Sequence, residues 1–271
     1  MRKKSVVSIV LILSLTLLLL AGCGKKNQET TIVVGASPVP HTEILEFVKE
    51  KLAEEGYILE IKEFTDYVQP NLATESGELD ANFFQHVPYM ESFNEDYGTH
   101  MVSVFSVHFE PLGLYKARAK SLAELPDGAT ITVPNDVTNA ARAFQLLEAN
   151  GLIKLREGAG LKATKMDIVE NPKNLDIKEL EAAQIPLLLP DVDMAIINGN
   201  FALQSGLSME TDAVAAEAKD SDSAKTYANS IVVKSGNEKN PGIQALIKVL
   251  NSSEVRDFID KKYEGRVVPV F

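Results

Sequence analysis

The sequence predicts an α/β protein in two half-sized domains, the first of them discontinuous. Three observations carry this. From residue 31 on, short β-rich runs alternate with helical periodicity, the pattern of parallel sheets joined by right-handed crossovers. The chain of 271 residues is long for one compact α/β domain and suits two. Two segments, 101–116 and 219–230, read as linkers, so the chain leaves the first domain, builds the second and returns.

"TIVVGAS" (31–37) is the first strand. "HTEILEFVKEKLAEEG" (41–56) places Ile44, Leu45, Val48 and Leu52 on one helical face and stops at Gly56. "LEIKEF" (59–64) is a second strand, "YVQPNLATESGEL" (67–79) a turn with a helix, and "DANFFQ" (80–85) a third strand. A helix covers Met90 to Tyr97, and "MVSVFSVHFEPLGLYK" (101–116) is too long for one ordinary strand. In the second half, "ATITVP" (129–134) precedes the helix "DVTNAARAFQLLEANG" (136–151). "MDIVE" (166–170) precedes a helix in "IKELEAAQI" (177–185), and "DMAII" (193–197) leads into "NGNFAL". "SIVVK" (230–234) is the last strand, with helical patterns following over 242–251 and 254–262.

The N-terminus sets the compartment. Arg2, Lys3 and Lys4 precede an apolar run from Val6 to Leu20, and "LAGC" follows at 20–23. A basic region, a short apolar region and small residues make residues 1–22 a signal peptide; the alternative, a membrane span, wants about 20 apolar residues. "LAGC" resembles the lipobox of bacterial lipoproteins, which implies cleavage before Cys23 and diacylation of its thiol. Residues 23–30 are then a lipidated tether. Cys23 is the one cysteine, so lipidation leaves no thiol for a disulfide, a metal or a nucleophile. The net charge is −11, and losing the basic leader makes the chain more acidic still. That argues against nucleic acid, which demands a basic face.

In open α/β sheets, ligands sit beyond the carboxyl ends of strands. Asn198 and Asn200 stand there, straddling Gly199. An Asx turn or helix cap explains them as well as a ligand does, and Gly199 tilts the balance by letting backbone approach closely. In "PNDVTNAARAF" (134–144), Asp136 can cap a helix on which Asn139 and Arg142 share a face. An arginine so early in a helix opposes the macrodipole but suits a bound carboxylate; the alternative is a solvated surface arginine. In "DANFFQHVPYM" (80–90), strict alternation puts Asn82, Phe84 and His86 on one side and Phe83 and Gln85 on the other. With Tyr67 and Tyr89 near in sequence, this reads as core or as an aromatic cleft wall suited to an apolar or thioether chain.

No G-x-S-x-G, H-E-x-x-H, P-loop or G-x-G-x-x-G motif occurs, so no enzyme is expected. His41, His86, His100 and His108 show no ligand spacing, and neither a metal nor a cofactor is expected.

Six stretches then match a known pattern: "GASPVPH" (35–41), "DYVQPN" (66–71), "DANFFQHVPY" (80–89), "HFEPLGLY" (108–115), "VPNDVTNAARA" (133–143) and "AIINGNFA" (195–202). In this order, over nearly the whole mature chain, they resemble the NlpA lipoprotein family, substrate-binding lipoproteins of the methionine ABC importer. The resemblance implies a two-lobed, periplasmic-binding-protein-like fold of type II, with two crossover strands and a ligand cleft between the lobes. Lobe 1 would comprise 31–110 with 229–271, and lobe 2 residues 111–228. Arg142 would grip the ligand carboxylate beside Asn139, and Asn198 would hold the polar head, leaving Asn200 to cap the following helix. Tyr67, Phe84 and His86 would line the side-chain pocket, with His108 at one crossover and Asn229 near the other. Val137 stands where many members have proline.

The implied ligand is methionine, L- and possibly D-, and the implied partners are the permease and ATPase of its importer. The protein would be a monomer, held by its lipid on the extracytoplasmic face of the cell membrane. A methionine-containing dipeptide or another apolar amino acid is the competing ligand. A lipid-anchored enzyme and an adhesin are competitors from other classes.

Overall fold

A computed structural model describes residues 30–220 and 222–271, so the leader, Cys23 and the tether before Thr30 lie outside the described residues. Lobe 1 begins with β1 (Thr30–Ala36), α1 (Glu43–Glu54), β2 (Tyr57–Glu63), α2 (Gln69–Ser76), β3 (Ala81–His86), α3 (Val87–Tyr97) and β4 (Met101–Phe109). Lobe 2 follows with β5 (Gly113–Lys116), β6 (Thr130–Pro134), α4 (Val137–Ala149), β7 (Lys154–Leu155), β8 (Ile168–Glu170), β9 (Asp176–Leu180), β10 (Met194–Ile197), α5 (Gly199–Gln204) and β11 (Ala213–Ala216). The chain returns to lobe 1 with β12 (Asn229–Lys234), α6 (Pro241–Leu250), α7 (Ser253–Tyr263) and β13 (Val268–Pro269). Lobe 1 holds a six-stranded sheet in the order β13-β4-β12-β3-β1-β2, and lobe 2 a five-stranded sheet, β11-β5-β10-β6-β9; β7 and β8 pair separately.

Each sheet has its own apolar core. The predicted face of α1 (Ile44, Leu45, Val48 and Leu52) is fully buried and packs with Val34, Phe83, Ile231 and Leu246. In lobe 2, Phe144 and Leu147 of α4 pack on Ile131, Val133, Ile177 and Ile196. Burying each such side chain contributes about 1.5–3 kcal/mol, enough for a core in each lobe without a disulfide. Residues 31–271 hold together as one compact unit. Among the described residues no helix is long and apolar enough to cross a membrane.

Three local expectations are corrected. The sheets are mixed: β1 runs parallel to β3 and β6 to both β9 and β10, whereas β12 is antiparallel to β3 and β4 and β5 to β10. Antiparallel neighbours need no crossover helix, and this is how the two linking passages enter the sheets. "IKEL" is strand β9 rather than a helix, paired with β6 from Thr130↔Asp176 to Pro134↔Leu180. The chain then enters a 3-10 run, Ala182–Asp191, because Pro186 and Pro190 bar an α-helix. Strict alternation also fails in β3. Ile231 pairs with Phe83 and Ser230 with Gln85, so Phe84 is an extra residue in the ladder. That bulge lets Gln85 Nε2 reach Asn82 Oδ1 at 2.8 Å, which alternation would have placed on the other face.

Candidate functional site

The segments that line one cavity come from both lobes. Tyr67 precedes α2, Phe84, Gln85 and His86 end β3, and Tyr89 opens α3. Glu110 follows β4, Asn139 and Arg142 lie in the first turns of α4, and Asn198, Gly199 and Asn200 form the β10–α5 junction. Asn229 starts β12, opposite His86 and His108 in the ladder. Of the eight residues expected at a ligand, Tyr67, Phe84, His86, Asn139, Arg142, Asn198 and Asn229 line this cavity. His108 does not: it is fully buried behind Glu110, with its ring against His41 and Phe83.

Asp136 caps α4 as its position suggests, accepting the Asn139 N–H at 2.9 Å. Its carboxylate also accepts from Asn139 Nδ2, at 3.0 Å to each oxygen, which turns Asn139 Oδ1 toward the cavity. Three donors meet on that oxygen: Asn198 Nδ2 at 2.9 Å, His86 Nε2 at 3.3 Å and Arg142 Nη1 at 3.3 Å. The His86 tautomer is determined by its neighbour. Nδ1 accepts the Tyr89 N–H at 3.2 Å, so the neutral ring carries its proton on Nε2. Burial, reinforced by the Arg142 charge, lowers His86 to about 3.

Arg142 is more committed than spacing suggests. Its Nε and Nη2 donate to the two oxygens of Glu217 at 3.0 and 2.5 Å, and Nη2 also donates to the Glu110 carbonyl at 3.2 Å. The guanidinium lies 4.3 Å from the Tyr227 ring centre, a cation–π contact. Burial opposes its charge, but the Glu217 carboxylate outweighs that and holds the guanidinium above its ordinary value. The arginine that opposes the helix dipole is therefore stabilised by a fork-to-fork pair.

Asn198 and Asn200 divide their roles differently from the expectation. Asn198 occupies the N-cap position of α5 without a side-chain capping bond. Asn200 does not cap: its Oδ1 accepts from Tyr67 OH at 2.6 Å, and it lines the cavity. Asn198 Oδ1 and Asn200 Nδ2 are buried without a partner among the described residues. The other wall is aromatic. Tyr67 packs on Phe84, Tyr89 and Phe201 with ring centres 5.0–5.8 Å apart, and Tyr89 OH donates to the Tyr67 carbonyl at 3.0 Å.

A group that linear spacing hid reaches the cavity through Glu110. Glu110 Oε1 is 2.8 Å from His108 Nε2 and 3.4 Å from His41 Nε2, and His41 Nε2 is 3.2 Å from Asn229 Oδ1. Burial lowers His108 to about 3 and His41 to about 4, and it raises Glu110. Two imidazoles and a carboxylate are a metal-like donor set. Metal-bound imidazoles, however, need an acceptor for the second ring nitrogen, and Nδ1 of both histidines has none among the described residues. The set fits a hydrogen-bonded carboxylate better than an ion. Glu110 was missed, and its one signal was an acidic residue directly after an overlong strand; Glu217, 75 positions from Arg142, carried no signal in an acidic chain.

The sequence pattern of the family described as NlpA lipoprotein matches residues 32–271. The methionine-binding lipoprotein MetQ of Bacillus subtilis is 40% identical over 259 residues, covering 93% of each chain. A nutrient-binding protein from Burkholderia cenocepacia, solved bound to methionine, is similar with a TM-score of 0.84 and 44% identity, over 89% of this chain and all of its own. An ABC transporter periplasmic substrate-binding protein from Coxiella burnetii is similar with a TM-score of 0.82 and 38% identity, over 88% of this chain and all of its own.

Proposed function

The chain belongs to the NlpA lipoprotein family, and from that membership and the cavity we propose that it is the substrate-binding lipoprotein of an ABC importer, capturing methionine. One observation carries the ligand class. A buried acceptor, Asn198 Oδ1, and a buried donor, Asn200 Nδ2, are both unpaired on the wall of one cavity. An α-amino acid supplies a carboxylate for the donor and an ammonium for the acceptor, so it satisfies both. The aromatic wall of Tyr67, Phe84 and Tyr89 suits a thioether, which packs well against ring edges. In this reading Arg142 and Asn200 share the carboxylate, Asn139 orients the donors around it, and His86 and Asn229 close the polar end.

We propose further that residues 31–110 with 229–271, and residues 111–228, move as the two lobes. Ligand contacts from both would favour the closed state, which the permease and ATPase subunits then read. The protein is a monomer tethered by lipidated Cys23 on the extracytoplasmic face, and it hands its ligand on unchanged.

Titration calorimetry with methionine, leucine and a glycyl-methionine dipeptide tests this. Methionine should bind with the highest affinity. No heat and no protection against melting by methionine would overturn the reading, and tighter binding of the dipeptide would reassign the ligand.

A further inference from the structure

The charges around the cavity do not balance. Arg142 carries the one permanent positive charge among the described residues lining it, and its fork is already taken by Glu217. Glu110 lines the same cavity, fully buried, and its neighbours His41 and His108 are held neutral by burial. Buried charges persist only when paired. Two carboxylates, Glu110 and Glu217, thus stand against one guanidinium, and the site's unmet demand is for a cation.

We propose that Glu110 is the recognition group for the ligand's ammonium, and that the site depends on this ammonium more than on the carboxylate. The inference rests on the reading of the ligand as a free amino acid. Asn198 Oδ1, the unpaired acceptor on the same wall, gives the ammonium a second partner. Gly199 shows how closely the chain is drawn over this carboxylate. A Cβ there would meet Glu110 Cβ at 2.7 Å and Oε2 at 2.9 Å, so only glycine allows the approach. His108 Nε2 donates to Glu110 Oε1 at 2.8 Å and holds the carboxylate in place. Burial raises the Glu110 carboxyl toward its neutral form, against the pull of Arg142 and the Asn200 backbone N–H, and an ammonium arriving beside it would favour the carboxylate. The favoured ligand class is therefore a primary ammonium with an apolar chain, its carboxylate a secondary requirement.

Calorimetry on the wild-type protein with three ligands decides it: methionine, methionine amide, and methylthiobutanoate, which is methionine without its amine. The desamino analogue should lose about a hundredfold or more, and the amide less than about tenfold, because only the first leaves a buried carboxylate unpaired. Glu110→Gln should weaken methionine by about a hundredfold and leave the desamino analogue within about threefold of its wild-type affinity. A purely structural glutamate would not distinguish the two ligands. A desamino analogue that binds wild type as well as methionine does, or a Glu110→Gln loss equal for both, overturns the inference while the amino-acid reading stands. If wild type fails to bind methionine, the functional reading falls and takes this one with it. If Glu110→Gln does not fold, the wild-type ligand series decides the question alone.

Discussion

Two buried amide clusters in this protein are finished differently. In lobe 1, Asn82 Nδ2 donates to Asn71 Oδ1 at 3.0 Å and Thr74 Oγ1 at 2.7 Å, and Asn71 Nδ2 donates to Gln85 Oε1 at 3.1 Å. Gln85 Nε2 returns bonds to Asn71 Oδ1 at 2.5 Å and Asn82 Oδ1 at 2.8 Å. Every side-chain nitrogen and oxygen of these three amides has a partner. In the cluster of Asn139, Asn198 and Asn200, two amide atoms have none among the described residues. An unmet buried polar group costs about 1–3 kcal/mol. A closed cluster serves the fold; an open one carries that cost in the free state and recovers it when a ligand arrives.

The largest test of this contrast is Arg142→Ala. Its loss leaves the half-buried Glu217 without its counter-charge, which costs about 1–3 kcal/mol. Methionine affinity should drop by about tenfold, roughly 1.4 kcal/mol, because the cost of the orphaned Glu217 falls on the free protein as well and the ligand carboxylate is the lesser requirement. The ligand-free melting temperature should fall as well, because Glu217 and Tyr227 lose their partner. From spacing alone the free protein would be expected to melt unchanged. Pairing the change with Glu217→Gln should restore much of the stability and none of the binding. Calorimetric affinity near wild type in Arg142→Ala would sink the carboxylate assignment.

Next comes pH. His41, His86 and His108 are held at about 4, about 3 and about 3 in the fold, against 6.5 unperturbed. The unfolded chain therefore takes up protons near pH 6.5 that the folded chain refuses, and stability is lost as pH falls from there toward 4 and 3. Each histidine contributes about 1.4 kcal/mol per pH unit in that window. Glu110 and Asp136, both raised by burial, act in the opposite direction and offset part of the fall. The lobe 1 network has no titratable member, so His86→Gln should flatten the melting curve against pH and Asn82→Ala should not.

Smaller effects separate the clusters directly. Asn82→Ala should destabilise by about 1–3 kcal/mol through its orphaned partners and leave methionine affinity nearly unchanged. Asn198→Ala should do the reverse, weakening methionine by about ten- to a hundredfold with little change in melting, because Asn139 Oδ1 keeps two other donors. Equal effects of both variants on melting would erase the distinction. Least of all should be Lys162→Ala, which removes an exposed ion pair to Glu95 at 2.7 Å; affinity should shift by about twofold at most, and less in high salt.

The amino-acid sequence by itself determined what depends on near neighbours. The amphipathic face of α1, the Asp136 cap on α4 and the alternation of strands with helices are set within a turn or a few residues. Seven of the residues expected at a ligand meet at one cavity for the same reason, since short motifs carry them onto strand ends and helix starts. Only the tertiary structure decided the pairings between distant segments. "IKEL" became β9 because β6 offered it a partner, and Phe84 became a bulge because of the register of β12. The sheet pairing of β4 with β12 brings His108 close to Asn229, and the fold sets His41 beside both. Glu217 found Arg142 across 75 residues, one carboxylate among 38 acidic side chains, with nothing local to distinguish it. Charge compensation in a buried site is a property of what the fold brings within a few ångströms, and linear spacing does not encode it.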